Sequence, residues 1–203
     1  MSSRDSQSGD YRTVIKQGLD LTREGNKLLS NGKIVDGLLR LRKAVEIAIF
    51  NPHEEGNWLL KIRTIVPFVV ALLTHPTHIK YAKFIHYLIY EHKKARLAMS
   101  KSVGTPSIIA ELNELIFTVR IGQYERKYES AMKRLPIMKK FIDYNREFLS
   151  TVPSRPFFIQ MVAGLDIENF CPSIDHQEFF LDWTLMFFQK ESERIRVLHA
   201  VKK

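Results

Sequence analysis

Nearly every apolar segment of this chain repeats at intervals of three and four residues, and none alternates apolar with polar residues for long. That spacing fits the roughly 3.6 residues of a helical turn and not the two-residue repeat of a strand. The expected fold is therefore all-α with almost no sheet.

Breakers divide the helical pattern. Asn31-Gly32-Lys33 splits the stretch from Tyr11 to Phe50 into an antiparallel hairpin, with Leu28 and Leu29 before the break and Leu38, Leu41, Val45 and Ala48 after it. Asn51-Pro52 stops the second helix, and the third, Trp58 to Leu73, is expected to kink or restart at Pro67, which lacks the backbone donor. Thr77 caps a fourth helix running to about Met99. Thr105 or Ser107 caps a fifth, to about Thr118; a sixth covers roughly Gln123 to Leu135 and ends at Pro136; a seventh covers Ile137 to Leu149. Pro153 and Pro156 mark a stiff connector, Phe157 to Val162 fits strand or helix, and Asp175 with Glu178 resembles a capping box opening a last helix to about Ala200. This predicts a bundle of about seven to eight helices built from antiparallel hairpins.

A chain of 203 residues is long enough to bury about 70% of its unfolded surface, so one domain over residues 11–203 is expected, preceded by a disordered polar arm at 1–10. Lys and Arg outnumber Asp and Glu by 31 to 22, for a net charge of +9. The excess lies in the basic part, 11–150, while residues 157–203 form an aromatic-rich part. Such a field favours nucleic acid, an anionic membrane surface or an acidic protein partner. Cys171 is the only cysteine, and no apolar leader precedes the helices. An intrachain disulfide is excluded, and a cytoplasmic or nuclear location is expected rather than secretion. The apolar stretch Trp58 to Leu73 carries Lys61, Arg63 and Pro67 and falls short of the ~20 residues of a span, so it reads as a buried helix.

Leu21, Gly25, Leu28, Gly32, Leu41 and Ala44 fall at the spacings of the packing residues of a tetratricopeptide unit, which the hairpin at 21–52 resembles. The resemblance implies two closely crossing helices whose groove holds a partner helix or acidic peptide. Glu24 stands where that family places an apolar residue, Gly37 where it places alanine, and Pro52 comes three residues late. A partial echo at 124–136 rests on Tyr128, Ala131 and Pro136.

At about 100° per residue, Lys80, Lys83, Tyr87 and Lys94 share one side of the fourth helix, with His86, Tyr90 and Lys93 beside them and Phe84, Ile85, Leu88, Ile89 and Ala95 opposite. Ammonium groups neutralise phosphates and tyrosine rings stack on unpaired bases, so this face suits a nucleic-acid strand. Arg120, Lys127 and Arg134 are seven residues apart and form a second stripe if the sixth helix extends back to Thr118, thickened by Lys133, Lys139 and Lys140. Glu125 and Glu129 sit within pairing reach. In the last helix Phe180, Trp183 and Phe187 share a stripe, and other apolar residues cover most of its circumference. This predicts a helix buried nearly all round, or in part a homo-oligomer seam.

Catalytic patterns are incomplete. His75 and His78 lack further ligands for zinc. Ser130-Ala-Met-Lys133 stands without the partner elements of acylating serine enzymes, and no glycine-rich phosphate loop is present. The chain is thus expected to be non-enzymatic, with no metal or cofactor. The leading expectation is a protein binding RNA or single strands through Lys80, Lys83, Tyr87, Lys93, Lys94, Arg120, Lys127 and Arg134. An interaction adaptor and a matrix-type protein on anionic membrane are the alternatives; the compact, basic, helical character is shared by many viral accessory and structural proteins.

Overall fold

The computed structural model describes residues 3–51, 57–75, 82–103, 107–151 and 180–202, and these form helices with no strand among them. In chain order they are α1 (Ser3–Ser30), α2 (Ile34–Phe50), α3 (Asn57–Thr74), α4 (Ala82–Val103), α5 (Ile108–Tyr124), α6 (Tyr128–Tyr144), α7 (Arg146–Thr151) and α8 (Phe180–Lys202). The all-α class expected from the periodicity is the one observed. Lys80, the capping residues Thr77 and Thr105, the connector with Pro153 and Pro156, Phe157 to Val162, Cys171 and the Asp175–Glu178 box lie outside the described residues.

The chain packs as two compact units, Met1–Leu72 with Lys83–Glu111, and Leu73–Ala82 with Leu112–Lys203. In the first, α1 and α2 form the expected hairpin. Its turn follows from Gly32, whose φ of 74° lies in the left-handed region that favours glycine. Lys33 N–H donates to the Leu28 carbonyl and Gly32 N–H to the Leu29 carbonyl, the paired bonds of a Schellman cap. The two helices cross at glycines. A Cβ on Gly25 would stand 2.8 Å from Leu41 Cγ and 3.1 Å from the Gly37 carbonyl oxygen, and one on Gly37 would stand 2.7 Å from Leu29 Cγ. Only hydrogen at both sites lets the backbones approach this closely. Glu24 turns outward and pairs with Arg40 across the hairpin at 3.1 Å, which explains a carboxylate among packing residues. Leu41, Ala44, Val45 and Ala48 of α2 and Leu60, Ile65, Phe68 and Val69 of α3 build the core of this unit.

α3 is continuous through Pro67 rather than restarted there. The missing donor costs one backbone bond, and burial on both sides of the proline, from Thr64 to Val69, holds the helix together. Among the described helices α3 alone is long and apolar enough by length and composition to cross a membrane, and it is mostly buried within the fold, as core helices are.

In the second unit α5 ends in the same cap with a different residue. Lys127 N–H donates to the Gly122 carbonyl and Arg126 N–H to the Gln123 carbonyl, and Arg126 takes the left-handed position with φ 57°. The chain therefore turns at Glu125–Lys127, inside the segment read as the start of a sixth helix. α6 then runs unbroken through Pro136, which is solvent-exposed, to Tyr144. A Cβ on Gly122 would lie 3.3 Å from Ala131 Cβ, so this hairpin also closes on small residues. Val119, Ala131, Leu135 and Ile195 form a core cluster joining α5, α6 and α8, with Tyr128, Met132 and Phe188 packed against it.

Two further expectations change. α1 begins at Ser3, inside the stretch read as a disordered arm; adding turns to an established helix needs no new nucleus, so a polar sequence can continue it. α8 is not buried all round. Val197 and Val201 are 57% and 81% exposed, because the aromatic residues that gave the apolar reading sit only in its first half. The side chains of Phe180, Trp183 and Phe187 lie outside the described residues.

Candidate nucleic-acid interface

α4 carries its polar and apolar residues on opposite sides for a geometric reason. Ile85, Leu88, His92 and Ala95 are buried, and residues half a turn away must face solvent. Lys83, Tyr87, Tyr90, Lys94, Leu97 and Lys101 follow one another at steps of three and four. All six are exposed, forming a stripe about 27 Å long at 1.5 Å per residue. Lys93 is exposed beside it. Lys101 joins because α4 continues to Val103, past the expected end near Met99; the seven-residue step from Lys94 was the signal for it. Phe84, expected opposite, is 41% exposed while its ring meets Phe68 edge-on at 6.1 Å.

The acid on α4 is turned away from this face. Glu91 is buried, and it accepts hydrogen bonds from Lys61 of α3 at 3.0 Å and from Lys94 at 3.2 Å. Burial pushes its carboxyl upward, but the two ammonium groups outweigh that and hold it below the ordinary carboxylate range. Lys94 also lies 5.4 Å from the centre of the Tyr90 ring, a cation–π contact. Its ammonium is raised above the usual lysine range, chiefly by the Glu91 hydrogen bond. Lys83, Lys93 and Lys101 have no carboxylate partner among the described residues. Further inward, Arg96 is buried and pairs with Glu111 at 3.1 Å, tying α4 to the first turn of α5.

The second stripe does not form. Arg120 lies on α5, Lys127 caps α6, and Arg134 lies on α6, beyond the Arg126 turn. Arg120 points inward to α8, where its guanidinium donates to Glu191 at 3.2 Å. Glu191 is 1% exposed and also accepts from Gln123 Nε2. Burial lowers the Arg120 pKa and the neighbouring Glu191 partly restores it. This arginine is a structural pin between α5 and α8 and is not available to a phosphate. Lys127 pairs with Glu125 at 3.0 Å. On α6 Lys133 pairs with Glu129 at 2.9 Å and Lys139 with Asp143 at 2.8 Å. Arg134 and Lys140 are exposed and have no carboxylate partner among the described residues. Of the residues named from the sequence, the structure thus brings together Lys83, Tyr87, Lys93 and Lys94 on one face and separates Arg120, Lys127 and Arg134. No group of three or more metal-ligating side chains gathers among the described residues.

No family model, curated protein or solved structure matches the chain.

Proposed function

We propose that this chain is a non-enzymatic helical protein that binds single-stranded nucleic acid, RNA foremost, across the outer face of α4. The observation that carries this reading is an exposed stripe in which Lys83 and Lys94 flank Tyr87 and Tyr90, and Lys101 follows beyond Leu97, while Glu91 is buried beneath it. Lysines spaced along some 27 Å of helix meet successive phosphates, and each neutralised phosphate releases counterions. The tyrosine rings, one turn apart, offer faces to bases that are not already stacked in a duplex. A net charge of +9 steers the approach of any polyanion.

Fluorescence anisotropy of labelled single-stranded RNA, single-stranded DNA and duplex, each at two salt concentrations, tests the reading. Affinity that falls steeply with salt and ranks single strands above duplex is the expected result. Absence of salt-dependent binding to any of the three near physiological ionic strength would overturn it.

A second reading is supported by Phe84 and Leu97, 41% and 45% exposed on the same helix. Apolar side chains flanked by lysines also suit an acidic amphipathic partner helix. Under that reading an acidic peptide binds and the oligonucleotides do not. A surface of anionic lipid draws on the same lysines, and sedimentation with anionic vesicles separates it from both.

A further inference from the structure

The outward face of α2 carries a second stripe, unrelated to α4. Val35 and Leu39 are each 58% exposed and Phe50 is 79% exposed. Between these two ends stand Arg42 and Glu46, paired along the helix at 2.7 Å and both open to solvent. Val35, Leu39, Arg42, Glu46 and Phe50 follow at steps of four, three, four and four, so they lie on one line down the helix. Three large apolar side chains exposed on one line of a helix call for an occupant.

The order of the line identifies that occupant. It reads apolar, cation, anion, apolar, and turned end for end it meets its own complement. In an antiparallel pairing of two α2 helices about a two-fold axis, Arg42 of each copy faces Glu46 of the other. Phe50 of each then falls between Val35 and Leu39 of the other. Such self-complementarity is the requirement of an isologous interface, in which residue i meets j and j meets i. Lys43, exposed at the rim, adds a second cation beside the incoming Glu46. We infer that this chain associates with a second copy of itself through α2, by an antiparallel helix pair with two crossed ion pairs at its centre. One helix from each side buries less than the roughly 1,600 Å² of a standard interface, so the dimer is weak and reversible.

Sedimentation velocity on the full chain, freed of nucleic acid by a high-salt wash and run from micromolar to near-millimolar concentration, tests this. The wild type shifts with concentration from one chain toward two. Arg42→Glu and Glu46→Arg each place like charges opposite one another and remain monomeric. An equimolar mixture of the two restores the dimer, because the glutamate introduced in one variant then faces the arginine introduced in the other. Leu39→Glu abolishes the shift without rescue by either. Circular dichroism equal to wild type in all three confirms that the helices are intact. A wild type that stays monomeric throughout overturns the inference, as do charge variants that associate alone as strongly as the wild type or a mixture that fails to restore the dimer.

Discussion

α4 and the α5–α6 hairpin are both rich in Lys and Arg, yet they present very different surfaces. On α4 the carboxylate of Glu91 is buried and its exposed lysines stand mostly alone. On α6 Glu129 and Asp143 sit outside, one turn from the lysines they neutralise, and on α5 Arg120 faces inward. A count of cations along a segment therefore does not measure the field it projects. The position of the acids decides it, since a pair within about 4 Å cancels most of its own field in water.

The largest effect that tests this contrast is on stability. Arg120→Met leaves Glu191 buried without its cation and should cost about 3 to 5 kcal/mol, read by urea denaturation; a cost below about 1 kcal/mol would show that Arg120 is peripheral and return it to the binding surface. Next, Lys83, Lys93 and Lys101 replaced together by alanine should lower the salt slope of single-strand binding by about 2 units, three phosphates at roughly 0.7 each. The paired lysines of α6 provide the control. Lys133→Ala with Lys139→Ala should change that slope by less than half as much, and equal changes would erase the distinction between the two regions. Tyr90→Ala should weaken binding by about 1 to 3 kcal/mol with little change in slope, because stacking releases no counterions; an unaltered affinity would mean that lysine charge alone carries the contact. The smallest effect concerns the hairpin turns. Arg126→Gly should stabilise the second unit by about 1 kcal/mol in thermal or urea unfolding, since glycine occupies the left-handed position without its steric cost. A loss of stability would show that the arginine side chain holds that turn.

The same two turns explain how far the fold could be read from residues alone. Both hairpins close with paired cap bonds at the helix end, but the first announces itself through Gly32 and the second hides behind Arg126. Glycine is a visible signal for a left-handed residue; an arginine in that position is not. The prolines misled in the opposite direction. Pro67 read as a kink or restart and Pro136 as a helix end, yet both lie inside continuous helices, because tertiary packing can offset the loss of one backbone bond.

The candidate site divides along the same line. Periodicity by itself was enough to make the chain helical and to put Lys83, Tyr87 and Lys94 on a common side of α4 with Lys93 beside them, because neighbours at three and four residues share a helix face whatever the rest of the chain does, and the Asn31-Gly32-Lys33 breaker placed the α1–α2 turn. Which of two faces a side chain takes, and what it meets there, depends on residues far away in sequence. Arg120 and Glu191 are 71 positions apart, and Lys61 and Glu91 are 30 apart. Only the tertiary structure brings each pair together, and a buried charge is stable only beside its partner, so only the fold could turn one arginine into a pin and leave the lysines of α4 exposed.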